Sequence, residues 1–542
     1  MMLRNALVSI PFAVSLVGCA GSPLEESDEA SASSAAALTE SRSRGDAIQR
    51  VKHVIVIMQE NHSFDNYFGA LAYAPGSPYH AAHGDDGCRD EDHRCVDGLR
   101  CKVDGAGELR CRDSNRDDDG SSVRAFHDAR RCVVPDLDHS WTGTHREANF
   151  RRPNDTVRHS PNDGFVLVND VTEQPDVGGE GPDEDQTMAF YTEDEIPFYY
   201  DLAASFAISD RYFCSVLGPT FPNRSYLLAA TSFGHLTTSD SFPPPGGYKP
   251  VTGTIFDLLE ANGVSWANYF QDAPQGGSFR PFSATQVDPH FLPLPVFLAQ
   301  AAGAPGAPPL PAVSFVDPNF GLFGIQNEND EHPPTDVQRG QAFVSEVLSA
   351  VRNGPFWKDS VVFFTYDEHG GFHDHVAPPR APQGGARTPD GISPGQCRDL
   401  SNPPSSLAPG GGAECSTNLL DPADSTVHNA TTLCPALAAD PTGPFPRECA
   451  SFDQLGLRVP FVAISPFAKP HYVSHEVGDH TSILAFIEHA FTSAGHPRET
   501  PHLTERDRHA NGLEDLFDFE RSPSLDTPIG RAAPPATDCT PR

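Results

Sequence analysis

The sequence predicts an α/β protein whose central sheet is mostly parallel and doubly wound by helices. The apolar run at residues 54–57, Val-Ile-Val-Ile, has no polar alternation, which is typical of a strand buried on both faces. Further strand-like segments occur at 206–208, 264–270, 312–316, 360–365 and 459–464. Helical segments alternate with them, at 196–204, 254–262, 335–353 and 482–491. Repeated strand–helix units of this kind favour a parallel sheet covered by helices.

Local signals predict where two of the helices begin. A proline-rich turn at 219–222 precedes a segment, 226–230, in which a helix is expected to restart. The segment 335–353 has the clearest apolar stripe, which is formed by Val337, Phe343, Val347, Leu348 and Val351. Thr335 and Gln338 fit a capping box at its start.

Composition and charge exclude some classes of function. The chain has 542 residues, 38% of them hydrophobic, which is enough for a large core in one or two domains. Asp and Glu number 73 against 38 Lys and Arg, giving a formal net charge of −35. This balance excludes a broad electrostatic footprint for nucleic acid. It also predicts repulsion from an anionic membrane surface unless cations or a local basic patch intervene.

The N-terminus has the features of an export signal, predicted at residues 1–18. Arg4 precedes an apolar segment, 6–17, that is too short to span a bilayer. The segment runs into Leu-Val-Gly-Cys at 16–19, which resembles the signal box of bacterial lipoproteins and implies lipidation of Cys19. We therefore expect an exported lipoprotein, anchored to the membrane by its N-terminal lipid and facing the periplasm or the exterior. A secreted protein, cleaved near Ala20, is the alternative.

Composition also divides the rest of the chain. Residues 19–48 are rich in Ser, Ala and Glu without apolar periodicity, and we expect a disordered tether there. Residues 49–520 are predicted to form the main domain, followed by a Pro-rich tail at 521–542. Two segments interrupt this domain: a Cys- and Asp-rich insert at 81–132, and a Pro-, Gly- and Cys-rich excursion at 379–450.

The cysteines predict disulfide bonds, and the acidic part of the insert suggests a calcium site. Twelve cysteines in an exported chain argue for disulfides. If Cys19 is lipidated, an odd number remains, and Cys214, in an apolar segment, is the candidate for the unpaired one. The Asp and Asn oxygens from Asp113 to Asp119 could hold Ca²⁺. However, Gly120 lies at the wrong offset for an EF-hand loop and the bidentate Glu is missing, so a solvated acidic turn fits better.

Polar clusters follow several of the predicted strands. They comprise Glu60 and Asn61, then Asp317, then Asp367, Glu368 and His369, and finally Asp479 and His480. In open α/β sheets, ligands bind at the carboxyl ends of the strands. Converging carboxylate and amide oxygens suit a hard or borderline divalent cation. For the first cluster the alternative is a helix cap, formed by Asn61 or Ser63.

Thr220 is the candidate nucleophile. It lies between a Gly-Pro turn and a helix start, where its hydroxyl and nearby backbone N–H groups could face the metal site. The alternative is that Thr220 only caps the following helix. Arg224, four residues later, would brace phosphate oxygens; its alternative is a surface ion pair.

Four longer motifs add a family resemblance. QENHSFDNYFG, SVLGPTFPNRSYL, TYDEHGGFHDHVAPP and RVPFVAISPF occur in this order between residues 51 and 491. With them the chain resembles the bacterial and plant family of non-specific phospholipases C and acid phosphatases, within the alkaline-phosphatase-like superfamily. The resemblance implies an alkaline-phosphatase-like α/β/α sandwich and the hydrolysis of phosphoesters.

The resemblance also implies roles for individual residues. A divalent metal ion would be held by Glu60, Asn61, Thr220, Asp367 and Glu368. Thr220 takes the position of the nucleophile, while His139 and His332 match histidines that the family places around the phosphate. Asp374 and His375 end the GGFHDH segment within the third motif and have less defined catalytic roles. By analogy with two-metal members of the superfamily, a second metal site is expected from Glu328, His332 and His480.

These features predict a metal-dependent phosphoric ester hydrolase, namely a phospholipase C that acts on phospholipids through a phosphothreonine intermediate. Acid phosphatases of the family carry a His pair on the strand equivalent to 264–270, and this chain has none there, which disfavours the phosphomonoesterase alternative. A sulfatase is also disfavoured, because Thr220 cannot be oxidised to formylglycine. A catalytically silent, surface-binding lipoprotein is the remaining alternative.

Overall fold

The computed structural model describes residues 47–84, 87–132, 136–169, 184–232, 238, 247–248, 250, 252–322, 327–382, 452–493 and 500–530. The predicted signal at 1–18, nearly all of the tether and most of the 379–450 excursion lie outside these residues. The central sheet consists of β1 (His53–Gln59), β10 (Ala207–Ser209), β11 (Trp266–Phe270), β12 (Phe291–Pro293), β13 (Val313–Val316), β14 (Ser360–Tyr366), β15 (Phe461–Ile464) and β16 (Tyr472–Ser474). The strands are ordered β12-β11-β13-β1-β14-β15-β10-β16.

The central sheet is mostly parallel, as the sequence predicts. β1 runs parallel to β13 on one side and to β14 on the other, and β11 is parallel to both β12 and β13. β15 is the exception, since it is antiparallel to its neighbours β14 and β10. Consequently β15 brings its amino end, rather than its carboxyl end, to the edge where β1 and β14 finish.

Helices alternate with the strands. They are α1 (Phe64–Phe68), α2 (Trp141–Ala148), α3 (Phe165–Asn169), α4 (Pro197–Ser205), α5 (Thr220–Ala229), α6 (Ile255–Ala261), α7 (Leu294–Ala301), α8 (Val337–Asn353), α9 (His480–Phe491) and α10 (Glu505–Arg508). Every residue of β13 and β14 is buried, so the middle of the sheet is covered on both faces and the predicted α/β sandwich is confirmed. Among the described helices, none combines the length and apolar character needed to cross a bilayer.

Two helix starts differ in detail from the local predictions, and a third agrees with one of the alternatives given above. Helix α5 begins at Thr220 rather than at residue 226, because a first helical turn tolerates a proline such as Pro222. Helix α8 is capped by Asp336, whose carboxylate accepts from the Gln338 N–H, and not by the predicted capping box. Ser63 caps α1 by accepting from the backbone of the third helical residue, 3.1 Å away.

The Cys-rich insert folds into short paired strands. These are β2 (His80–Ala81), β3 (Cys95–Val96), β4 (Cys101–Val103), β5 (Leu109–Cys111), β6 (Ser114–Arg116), β7 (Ser122–Arg124) and β8 (Phe126–His127), the last of which pairs with β9 (Ala189–Phe190). Disulfides join Cys88 to Cys95 and Cys101 to Cys111. Cys214 is free and buried, as predicted. The Asp113 carboxylate binds the Arg100 guanidinium at 2.6 Å, and the calcium site stays a prediction.

Candidate active site at the carboxyl edge of the sheet

Two polar strand ends meet because of the register between β1 and β14. Gln59 pairs with Tyr366 at the end of the ladder, so the residues that follow each strand emerge side by side. The Asn61 N–H donates to Asp367 Oδ1 at 3.4 Å. Asn61 adopts a left-handed backbone with φ 68°, which turns the chain sharply at the end of the strand. The structure thus brings together Glu60, Asn61, Asp367 and Glu368, which are all buried.

Arg224 connects helix α5 to this cluster. Its Nη2 lies 3.0 Å from Glu60 Oε1, and its Nε lies 3.0 Å from Asp367 Oδ2. The ring of Phe320 covers the guanidinium at 4.9 Å. Burial lowers the pKa of Arg224, but Asp367 and Glu60 outweigh this effect, raise the pKa and keep the group charged. Arg224 therefore makes a buried double ion pair instead of the surface pair considered above.

The cluster contains carboxylate and amide oxygens without partners. Asn61 Oδ1 and Glu368 Oε1 are buried and have no hydrogen-bond partner in the part of the chain that the structure describes. Burying an unpaired polar atom is costly, so these two oxygens call for a water, an ion or another bound group as partner. Together with Glu60 and Asp367, they form an oxygen-rich set of the kind that divalent cations prefer. The residues present therefore fit the metal ion that the resemblance implies.

The two buried carboxylates after β14 have different electrostatic surroundings. Burial raises the pKa of Asp367 to about 7, with Glu60 and Glu368 adding to the rise and Arg224 opposing it. Burial also raises the pKa of Glu368, but His139 and His369 outweigh it and the net pKa is lowered. A cation bound at these oxygens would favour the ionised form of both.

Thr220 begins helix α5, and Arg224 follows it by one turn on the same face. Because Arg224 contacts Glu60 and Asp367, its face of the helix is turned toward the carboxylate cluster, and the one-turn spacing predicts Thr220 on that face. Pro219 occupies the N-cap position without a side-chain cap, so the interpretation of Thr220 as the cap is wrong. The positive dipole end of the helix is at this residue, while the next N–H, that of Phe221, donates to Thr238 Oγ1 at 3.2 Å.

The loop before Thr220 is held rigidly. Asn223 donates from Nδ2 to the Gly218 carbonyl at 2.8 Å and accepts from the Val216 N–H at 3.0 Å. A Cβ added to Gly218 would lie 3.0 Å from the Trp141 ring, so this position favours glycine because the aromatic ring approaches so closely. These contacts fix the approach to the first turn of α5.

His139 and His332 lie together beside the cluster, with ring centroids 5.5 Å apart. Each donates from Nδ1 to a backbone carbonyl, at 2.8 Å from His139 and 2.7 Å from His332. Because Nδ1 of each ring carries the proton that is donated to the carbonyl, the Nε2 atom of each ring is left for contacts with other side chains. His139 Nε2 lies 3.9 Å from Glu368 Oε1. Burial lowers the pKa of His139, but Glu368 and Asp136 outweigh it and raise the pKa to about 10.

Comparison with known proteins identifies the family. A family model described as the Phosphoesterase family matches residues 51–493, which is more than half of the chain. The chain belongs to the Phosphoesterase family. Phospholipase C B of Mycobacterium tuberculosis is 30% identical over 529 residues, covering 91% of this chain and 83% of that protein. Non-specific phospholipase C1 of Arabidopsis thaliana is 28% identical over 488 residues, covering 88% and 73% respectively.

Solved structures include more distant matches, such as murine ectonucleotide pyrophosphatase/phosphodiesterase 5, which covers 59% of this chain and 94% of that chain at a TM-score of 0.27 and 12% identity. Family membership makes the protein a hydrolase, as the motifs implied. The alternative of a catalytically silent lipoprotein is therefore not retained.

Asp374 and His375, two residues predicted to be catalytic in the phosphoesterase, are engaged in ion pairs. Asp374 Oδ1 accepts from Arg458 Nε at 2.9 Å, and His375 Nδ1 lies 2.7 Å from Asp65 Oδ2. Arg458 Nη2 also contacts Asp65, at 3.0 Å. These four residues form a buried ionic network that joins α1 to the amino end of β15. Asp374 and His375 are thus placed as structural partners of Asp65 and Arg458.

The structure does not bring the residues of the expected second metal site together. Both ring nitrogens of His480 are engaged, because Nε2 donates to the Asp367 carbonyl at 2.7 Å and Nδ1 lies 3.3 Å from the Tyr212 hydroxyl. Burial lowers the pKa of His480 to about 4. Glu328 accepts from Thr335 Oγ1 at 3.2 Å. His332 lies near His139 instead.

Several residues that support the site carry no recognisable sequence signal. Glu331 is fully buried and accepts hydrogen bonds from the hydroxyls of Tyr67, Tyr199 and Tyr366, directly before His332 in the chain. Glu147, on α2, contacts His369 at 2.8 Å. Asp317, the strand-end carboxylate that the sequence predicts at the site, accepts from Asn268 Nδ2 at 2.6 Å through Oδ2, while its Oδ1 has no hydrogen-bond partner among the described residues. Burial raises its pKa to about 7.

Proposed function

We propose that this phosphoesterase is a metal-dependent phospholipase C that uses Thr220 as its nucleophile. The observation that carries the proposal is the meeting of two strand ends at buried oxygens of Asn61 and Glu368 that lack a hydrogen-bond partner among the described residues, with Arg224 of α5 paired to Glu60 and Asp367 in the same cluster. Buried acceptor oxygens of this kind are satisfied by a cation or a hydrogen-bond donor.

Glu60, Asn61, Asp367 and Glu368 would hold the divalent cation, together with the Thr220 hydroxyl. When bound there, a divalent cation supplies charge for the phosphate oxygens and lowers the pKa of a neighbouring hydroxyl. The calcium site in the acidic part of the insert is not needed for this chemistry.

The chain's own groups account for the remaining steps. Thr220 Oγ releases its proton to solvent and attacks phosphorus, and the bond from phosphorus to the glycerol oxygen breaks as the bond to Oγ forms. The guanidinium charge of Arg224 and the N–H of Thr220 at the start of α5 stabilise the charge on the equatorial oxygens. His139 or His332 gives a proton to the departing diacylglycerol oxygen, a contribution of about 10²–10⁴-fold. Water then cleaves the phosphothreonine: its oxygen bonds to phosphorus as the bond to Thr220 Oγ breaks, one of its protons returns to the histidine, Oγ takes up a proton from solvent, and the phosphorylated head group is released.

The choice of a phospholipid substrate is supported by the relatives named above, which are called phospholipases C. Strand β11 supports it too, because it lacks the histidine pair that the resemblance places there in acid phosphatases. Its side chains are used in packing and hydrogen bonding instead. Trp266 stacks on His290 at 4.2 Å, and the Tyr269 hydroxyl donates to Gln300 at 2.5 Å. An acid phosphatase acting on phosphomonoesters is the second candidate, because the same nucleophile and metal ligands would serve it.

A substrate panel tests the proposal. The full chain is assayed with divalent ion on phosphatidylcholine in mixed micelles and on p-nitrophenyl phosphate, with Thr220→Ala as the matched inactive variant. We expect diacylglycerol release that Thr220→Ala lowers by about 10³-fold or more while thermal unfolding stays unchanged. Turnover of the monoester alone would favour the phosphatase. Unchanged activity of Thr220→Ala would remove this residue from the mechanism.

We also propose that the protein is exported and anchored through a lipid on Cys19, as the N-terminal sequence indicates. Labelling of bacteria that express the full chain with a fatty-acid analogue tests this, with Cys19→Ala as the control. A labelled wild type and an unlabelled variant are expected. Equal labelling, or release of the wild type to the medium, would support the secreted alternative.

A further inference from the structure

A buried chain of carboxylate, imidazole and carboxylate leads from helix α2 to the candidate metal ligand Glu368. His369 Nε2 lies 2.8 Å from Glu147 Oε2, and His369 Nδ1 lies 3.3 Å from Glu368 Oε2. All three side chains are almost completely buried, at 1% exposure or less. Both ring nitrogens thus face carboxylate oxygens, an arrangement in which each N–H can donate.

The far end of this chain is anchored. Glu147 Oε1 accepts from Asn169 Nδ2 at 3.1 Å, and the same asparagine accepts from the Asp138 N–H at 2.7 Å. Asp138 precedes His139, the histidine beside the site. Asn169 therefore ties Glu147 to the loop that presents His139, and Glu147 in turn fixes the His369 ring.

At the end of this chain nearest the candidate metal site, the two carboxylate oxygens of Glu368 have different surroundings. Oε2 accepts from the Gly370 N–H at 2.7 Å and faces His369, whereas Oε1 has no hydrogen-bond partner among the described residues and lies 3.9 Å from His139 Nε2. The carboxylate is therefore held in one rotation, with one oxygen hydrogen-bonded to the protein and the other without a hydrogen bond. Outer groups of this kind set the orientation and basicity of metal ligands in known sites.

We propose that Glu147 is a positioning residue that, through His369, presents Glu368 Oε1 to the divalent cation. The inference rests on the proposed function, because it requires a cation at this site. Nothing in the chain's motifs assigns a role to Glu147, which lies 222 positions from His369. Glu147 does not contact Glu60, Asn61 or Asp367 in any hydrogen bond or ion pair given by the described residues.

The chain contains a matched control. His127 Nε2 also lies 2.8 Å from a carboxylate, Glu195 Oε2, and this glutamate is 6% exposed. That pair touches Thr192 and no candidate metal ligand. Glu147→Gln and Glu195→Gln are therefore the same chemical change at the same distance from an imidazole. The first is made beside the candidate metal site and the second away from it.

The test is a titration of the EDTA-stripped full chain with Mn²⁺, followed through the electron paramagnetic resonance signal of the free ion. We expect wild type and Glu195→Gln to bind Mn²⁺ alike, and Glu147→Gln to bind it about 10–100-fold more weakly. The Mn²⁺ concentration for half-maximal hydrolysis should shift by the same factor, while kcat at saturating Mn²⁺ changes much less.

The outcomes separate this inference from the proposed function. Equal Mn²⁺ affinity of wild type and Glu147→Gln would overturn the positioning role, and so would equal weakening by both glutamate substitutions. Absence of Mn²⁺, Ca²⁺ and Zn²⁺ binding by the wild type would overturn the proposed metal site itself. If circular dichroism shows that Glu147→Gln is unfolded, His369→Gln breaks the same contact from its other side, and unchanged affinity in that variant would refute the role.

Discussion

The Nε atom of Arg224 lies 3.0 Å from Asp367 Oδ2, and this ion pair joins the first turns of α5 to the end of β14. The same guanidinium reaches Glu60 at the end of β1. One buried cation therefore connects the helix that begins with Thr220 to the two strand ends that carry the candidate metal ligands. The geometry of the site depends on this connection as much as on the sheet.

Arg224→Gln is expected to destabilise the metal-free protein. The change leaves Glu60 and Asp367 buried without their counter-charge, which costs about 3–5 kcal/mol when a buried ion pair is broken. Urea unfolding in the presence of EDTA measures it. Arg508→Gln is the control, because Arg508 and its partner Glu505 are exposed and such pairs contribute about 0–1 kcal/mol. A loss no larger than that of the control would contradict the structural role of Arg224.

Removal of divalent metal ions should abolish hydrolysis. Without a cation, the phosphate would enter a cluster of carboxylates, so we expect EDTA to inactivate the enzyme and a divalent ion to restore it. Glu368→Gln should raise the ion concentration needed for half-maximal activity by at least about 10-fold. Metal analysis of the chelated sample accompanies the assay. Full activity in a sample shown to be free of metal would exclude a metal-dependent mechanism.

Gly370→Ala should destabilise the protein and distort the site. Gly370 has φ +65°, and a Cβ there would lie 2.2 Å from the Asn61 carbonyl oxygen. Gly263→Ala is a matched control, because Gly263 has φ +67° and open space around it. The control should lose about 1–2 kcal/mol of unfolding free energy from backbone strain. Gly370→Ala should lose about 1–3 kcal/mol more, because the added methyl group overlaps the Asn61 carbonyl oxygen. Denaturant unfolding of both variants checks the difference, and equal losses would show that the Asn61 contact is unimportant.

The pH dependence of stability should depend in part on His375. Burial lowers its pKa, but the charge and hydrogen bonds of Asp65 outweigh burial and raise the pKa to about 10. The folded pKa exceeds the unfolded value of about 6.5. The stabilisation is therefore complete below about pH 6.5 and is lost as the pH rises through about 10. His375→Gln should flatten this part of the unfolding free energy curve, and an unchanged slope would rule out the contribution.

The sequence was informative wherever the signal is local. The apolar run of β1, the buried strand β14 and the polar residues after them were predicted because strand burial and strand ends leave a continuous pattern. The sequence predicts that Cys214 is unpaired, because lipidation of Cys19 leaves an odd number of cysteines and Cys214 lies in an apolar segment. In the structure Cys214 is free and buried. The sequence predicts the start of helix α5 six residues too late, because Pro219 and Pro222 suggest a turn. The first turn of the helix accommodates Pro222.

Residues that meet through the fold were harder to predict. Arg458 begins the approach to β15, and its ion pairs with Asp65 and Asp374 exist because that strand is antiparallel. His480 was grouped with a second metal site, whereas its ring is used by the Asp367 carbonyl and the Tyr212 hydroxyl. No local pattern indicates the direction of a strand or the partner of a buried ring.

By itself the sequence determined the α/β class, the motifs of a phosphoesterase, and the carboxylates, amide and threonine that form its candidate site. Only the tertiary structure decided that Arg224 holds two of those carboxylates, that His369 lies between Glu147 and Glu368, and that Asp374 and His375 join an ionic network with Asp65 and Arg458. The physical reason is that residue type and periodicity are local properties of the chain. The pairing of buried charges is set by strand register and direction across hundreds of residues.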